Sequence, residues 1–115
     1  MTTVCDLTDK NCVPCEGGVA PMDAGEARRM MPELHSDWNL DTQMGKICRE
    51  VKTKNFAKAM QVANAVGFIG EQEGHHPDIA FGWGYCRVTF TTHAINGLSD
   101  NDFICAAKVN ALLEA

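Results

Sequence analysis

The longest ordered pattern in the chain runs from Asn55 to about Glu73. There Phe56, Ala59, Met60, Ala63, Val66, Gly67 and Gly70 recur at i, i+3, i+4 and i+7, which predicts a helix with one buried stripe. Gly67 and Gly70 each cost about 1 kcal/mol of helix propensity. Close approach of a neighbouring backbone would offset that cost, and Gly74 is placed to end the helix as its C′ residue. Elsewhere the period shortens to two. In "YCRVTFTTH", Cys86, Val88 and Phe90 point one way and Tyr85, Arg87 and Thr89 the other, so this stretch predicts a strong strand ending at His93. "DIAFGWG" before it is a weaker strand interrupted by glycines. "WNLD" and "GKICREVKT" predict two more strands joined by a polar turn at Thr42–Gly45. In the second of them charges fall on both faces, the pattern of a strand near a sheet edge.

Two shorter helices complete the pattern. Asp23-x-x-Glu26 is a capping box with Met22 placed as a staple, and it opens a helix that stops near Pro32. Ser99 caps a last helix, "DNDFICAAKVNALLEA", in which Asp102 falls three residues after the cap. The order is α-β-β-α-β-β-α, an α+β fold with a four-stranded, mostly antiparallel sheet and helices packed on one face. Residues 1–20 show no periodicity and form an arm, pinned by Cys12 and Cys15; residues 21–115 form the domain. The uncovered sheet face is solvated, a binding surface, or covered by another subunit.

Composition narrows the partners. At 115 residues the chain is one domain, and a net charge of −5 argues against direct contact with nucleic acid or an anionic membrane, both of which require a basic patch. No apolar run approaches the ~20 residues that cross a bilayer. The first residues carry neither a basic nor an apolar signal region, so a cytoplasmic protein with six reduced cysteines is expected.

Three of the four histidines lie in "EQEGHHPDIAFGWGYCRVTFTTH". His75 and His76 follow the predicted helix end and His93 ends the predicted strand, places where rigid elements present side chains to a small ligand. Converging imidazoles would supply acid and base groups that change protonation near neutral pH. Three alternatives compete: helix-end and strand-end decoration, a zinc site shared with Cys12 or Cys15, and a redox dithiol in "CVPC". Adjacent histidines splay apart, the cysteine pair has no second pair at finger spacing, and "EGG" rather than a helix follows it. Glu71 and Asp102 are the nearby carboxylates. Their plain readings are a solvated last turn and a capping residue.

Taken together, Glu71-x₃-His75-His76-Pro77, then Trp83, His93 and Asp102, resemble the signature of the pterin-4a-carbinolamine dehydratases, also called 4a-hydroxytetrahydrobiopterin dehydratases. The resemblance extends over "KNCVPCEGGVAP", "FAKAMQVANAVGFIGEQEGHHPDI" and "TTHAINGLSDNDFICAAKVNAL". It implies a four-stranded antiparallel sheet with helices on one face, and self-association into a homodimer or homotetramer. The implied reaction is loss of water from a 4a-hydroxytetrahydropterin to give quinonoid dihydropterin, recycling the pterin of an aromatic amino acid hydroxylase. Neither a metal nor an organic cofactor is implied. By position, His75, His76 and His93 would be catalytic, Gly74, Thr91, Thr92, Glu71, Trp83 and Asp102 would contact or frame the substrate, and Asp102 would orient an imidazole. The segment "DIAFGWGYCRV" is longer than in the animal proteins, so either Trp83 or Tyr85 takes the aromatic position. Either order of acid and base among the imidazoles fits the pattern. The resemblance also implies an alternative class, a dimerisation cofactor acting through a helical surface.

Overall fold

The computed structural model describes residues 7–12 and 20–114. Helix α1 (Ala24–Met30) is capped by Asp23, whose side chain accepts from the Glu26 N–H at 2.8 Å. Pro32 then tightens the chain into a single 3₁₀ turn over Met31–Glu33. Strands β1 (Trp38–Asp41) and β2 (Lys46–Lys52) follow, then α2 (Phe56–Glu73), β3 (Asp78–Gly82), β4 (Tyr85–Phe90) and α3 (Asp100–Glu114). The sheet order is β1-β2-β4-β3, and every pairing is antiparallel. Helices α2 and α3 lie over one face of it. No helix among the described residues is long and apolar enough to cross a membrane.

The alternation in β4 sets the core. Cys86, Val88 and Phe90 are fully buried and meet Ile47 of β2, Val66 of α2 and Phe103 of α3 in one cluster. The opposite face carries Lys52, Glu50 and Arg87 in an ion-paired row, with Glu50 bonded to both cations at 2.6 and 2.9 Å. Those bonds hold the Glu50 carboxyl below the usual glutamate range. The uncovered face is thus polar and suited to water.

Two expectations are corrected here. Strand β2 is internal, between β1 and β4, not near an edge. Arg49, which suggested an edge, is turned inward and buried, with Nη1 donating to Asn110 Oδ1 at 2.7 Å. The same oxygen accepts from Trp38 Nε1 at 2.7 Å, so one α3 amide satisfies two buried donors from the sheet. The α2 stripe is also narrower than its periodicity suggests. Ala59, Ala63, Val66 and Gly70 are buried, whereas Phe56 and Met60 are 49% and 42% exposed.

The arm touches the domain at Cys12. Its N–H donates to Glu73 Oε1 at 2.8 Å, and its sulfur lies 3.4 Å from that of Cys105 in α3. Lys108 adds a bond to the Thr8 carbonyl. The hydrogen bond with Cys12, together with burial, pushes the Cys105 thiol up, which makes it a packing group rather than a nucleophile. Cys15, the other expected pin, lies outside the described residues.

Candidate functional site

The site forms where α2 ends. Gly74 adopts the left-handed conformation (φ 66°) that closes a helix, its N–H bonding to Glu71 O at 3.2 Å and the His75 N–H to Gly70 O at 3.0 Å. A methyl group on Gly70 would sit 2.5 Å from Pro77 Cδ and 3.1 Å from the His75 carbonyl. The absence of a side chain there lets the His75–Pro77 loop fold back onto the helix. That close approach is the expected compensation for Gly70. Gly67 has only Ile79 Cδ1 near, at 3.9 Å, and no such role.

The loop turns His75 inward. Its side chain is 11% exposed, and its ring stacks on Phe90 with centroids 6.0 Å apart and planes 8° from parallel. His75 Nε2 lies 2.6 Å from Oδ1 of Asp102, a fully buried carboxylate. The other oxygen, Oδ2, accepts from Thr92 Oγ1 at 2.8 Å and from the Ser99 N–H at 3.0 Å. Asp102 therefore caps α3, as its place three residues after Ser99 suggests, and also holds an imidazole. With a carboxylate as acceptor, Nε2 carries the proton and Nδ1 keeps a lone pair. His76 points the other way, two-thirds exposed, with Nε2 2.8 Å from Glu71 Oε1.

The expectation that His93 ends the strand is corrected. β4 stops at Phe90, and Thr92 bridges Gly97 instead, with N–O distances of 2.8 and 3.3 Å. That bridge turns the chain so that His93 opens a 3₁₀ turn, His93–Ile95. The residue remains at the same end of the sheet, is exposed, and makes no side-chain hydrogen bond among the described residues.

These elements enclose a hollow of about 210 Å³ lined by His75, His76 and His93 with Gly74, Thr91 and Thr92. Ala94 and Asn101 also line it, and neither was anticipated. Ala94 follows His93 and Asn101 precedes Asp102, but neither residue type by itself signals chemistry. Phe90 was read only as core, yet its ring supports His75. Asp102 lies behind the wall and Glu71 on the rim with His76. Trp83 is elsewhere: it occupies the turn between β3 and β4, is 74% exposed and does not line the hollow. Tyr85 faces the open side of the sheet under Arg87. Among the described residues no group of three or more His, Cys, Asp or Glu is arranged to hold a metal ion. The zinc and dithiol alternatives involve Cys15 and fall partly outside the described residues.

Comparison with known proteins gives a consistent set of relatives. The model of a family described as pterin 4 alpha carbinolamine dehydratase matches residues 20–112. A Nitrosomonas europaea protein named "Putative pterin-4-alpha-carbinolamine dehydratase" is 48% identical over 115 residues, covering the whole of both chains. A Halorhodospira halophila protein of the same name is 52% identical over 106 residues, 92% of this chain and 96% of its own. Among solved structures, a transcriptional coactivator/pterin dehydratase from Brucella melitensis superposes with a TM-score of 0.73 at 26% identity, over 80% of this chain and 97% of that one.

Proposed function

We propose that this chain, which belongs to the pterin 4 alpha carbinolamine dehydratase family, removes water from a 4a-hydroxytetrahydropterin by proton transfer through His75 and His93, with His76 holding the substrate. The family's activity makes the protein a hydro-lyase. The residue roles, and the recycling of pterin for an aromatic amino acid hydroxylase, are our reading. The observation that carries the roles is the Asp102–His75 pair in the wall of a hollow that His76 and His93 also line.

The reaction breaks the C4a–O bond and removes the N–H proton of the adjacent ring nitrogen, forming a C=N bond and releasing water. One group must give a proton to the departing oxygen and another must take one from nitrogen. His75 suits the base: Asp102 fixes its tautomer with Nδ1 unprotonated and stabilises the imidazolium that forms. His93 suits the acid, because no protein partner among the described residues competes for its ring nitrogens. His76, tied to Glu71 on the rim, suits a binding role. Thr91 and Thr92 have their hydroxyl protons engaged, with Gly45 O and Asp102, so towards the pterin they can only accept. They shape the wall and hold the carboxylate.

Single replacements should separate by kinetic type. His75→Ala and His93→Ala each lower kcat by about 10²-fold or more if proton transfer limits the rate. His76→Ala raises KM more than it lowers kcat, because it removes binding common to ground and transition states. Activity that survives exhaustive chelation is expected in the same assay. A wild-type kcat in both His75→Ala and His93→Ala, correctly folded, would refute the assignment.

The reading includes self-association. The surface that fits it is the flank of α2 beside the edge strand β3, where Phe56, Met60 and Phe81 are exposed. Phe56 and Phe81 pack at 5.5 Å between ring centroids, which makes the patch continuous across the two elements.

A further inference from the structure

The catalytic hollow does not stop at His93. A second hollow of about 320 Å³ adjoins it, lined by Gln43, Met44, Lys46, Thr91, His93 and Asn96. Thr91 and His93 line both, so the two hollows adjoin at His93. The first hollow alone is smaller than the roughly 300–1,000 Å³ of typical small-molecule sites, and the two together fall within that range.

The walls of the second hollow are braced. Thr91 Oγ1 donates to Gly45 O at 2.6 Å, tying the β1–β2 turn to the end of β4. A methyl group on Gly45, whose φ is 64°, would lie 2.8 Å from Gly97 Cα, so two loops meet there backbone to backbone. Asp41 Oδ1 accepts from the Gln43 and Met44 N–H groups at 3.1 and 2.9 Å and fixes the turn's shape. On the far wall Asn96 holds a left-handed backbone (φ 53°), the one non-glycine residue among those described to do so. Lys46 makes no ion pair among the described residues, and Asp41, opposite it in the β1–β2 ladder, is engaged with the turn. A cation without a partner, two amides and an exposed thioether, all at one step from His93, make a site for a short hydroxylated chain with an anionic end.

Building on the dehydratase reading of the first hollow, we infer that the second hollow binds the C6 substituent of the pterin and favours a hydroxylated chain ending in a phosphate. Gln43 and Asn96 meet the hydroxyls, Met44 covers the carbon chain, and Lys46 meets the phosphate. The test measures dissociation constants of 6-methyl-7,8-dihydropterin, 7,8-dihydroneopterin and 7,8-dihydroneopterin 3′-phosphate for the full chain and for Lys46→Met and Gln43→Leu. Affinity should rise in that order, with the phosphate about tenfold tighter than the methyl compound, the scale of one charge-assisted contact. That preference should shrink as salt is added. Lys46→Met should erase most of the gain from the phosphate, and Gln43→Leu should weaken both hydroxylated ligands relative to the methyl one. Equal affinity for all three, within about twofold, would overturn the inference while leaving the dehydratase reading intact. So would a Lys46→Met variant that weakens the methyl compound as much as the phosphate. If none of the three binds, the reading of the first hollow fails and the inference fails with it.

Discussion

Asp102 carries the most consequence per atom in this chain. One oxygen holds His75 and the other satisfies a helix-terminal N–H and a threonine hydroxyl, all in a site closed to solvent. Asp102→Asn keeps the volume but turns one of the two oxygens into a donor, which must face either Nε2–H or the Ser99 N–H. The imidazole can relieve the clash by moving its proton to Nδ1, which takes away the lone pair of the base. We therefore expect kcat to fall by at least about tenfold and stability by less than the roughly 1–3 kcal/mol of an unpaired buried donor. Nitrogen-15 NMR of His75 should show the proton on Nε2 in the wild type and a changed tautomer in the variant. An unaltered tautomer with unaltered kcat would mean that Asp102 only caps α3. The capping half of this residue's work was legible in the spacing Ser-x-x-Asp; the other half rested on the resemblance, because His75 lies 27 positions away and no local pattern links them. The place of Trp83 was not legible at all. Nothing in "DIAFGWG" says that its tryptophan sits at a hairpin tip.

At the scale of elements, the end of α2 decides where the histidines stand. Gly70 and Gly67 look alike in the sequence, and the structure separates them. Gly70→Ala forces a Cβ into Pro77 and the His75 carbonyl, and should cost about 1–3 kcal/mol and lower activity by displacing His75. Gly67→Ala has open space before Ile79 and should be neutral, or stabilising by up to about 1 kcal/mol through helix propensity. Urea denaturation of the two variants checks this; equal stabilities would contradict the packing described. Element order, strand faces and helix caps were readable because each depends on neighbours within a few residues. Neighbour relations were not. Charges on both faces of β2 suggest an edge strand, and the contacts of Arg49 with Asn110, 61 residues on, and with Asp37 account for a buried guanidinium in an internal strand. The alternation in "YCRVTFTTH" places His93 at a strand end, but it does not register what Thr91 and Thr92 bond to. Their side chains bond Gly45 and Asp102, and the Thr92–Gly97 bridge turns the chain.

For the whole molecule, Phe56, Met60 and Phe81 form an exposed apolar flank beside β3, while the uncovered sheet face is charged and polar. The uncovered face, which the sequence left open to three roles, does not supply an apolar surface for assembly. The α2 flank does, through residues that the helical period had assigned to the core. We expect a symmetric homodimer or homotetramer at micromolar concentration, and Phe56→Glu with Met60→Glu should shift it towards the monomer. Light scattering that gives 12.5 kDa for the wild type throughout that range would contradict this.

The central claim is that three imidazoles at one end of the sheet dehydrate a pterin carbinolamine. The most direct measurement generates the 4a-carbinolamine in situ and follows its decay by absorbance. It compares no protein, the wild type, and a folded variant carrying His75→Ala, His76→Ala and His93→Ala. Because the carbinolamine also dehydrates unaided, the spontaneous rate is subtracted. The account predicts clear acceleration by the wild type and a decay with the triple variant that matches the protein-free rate. A triple variant that accelerates the decay as fast as the wild type would contradict it.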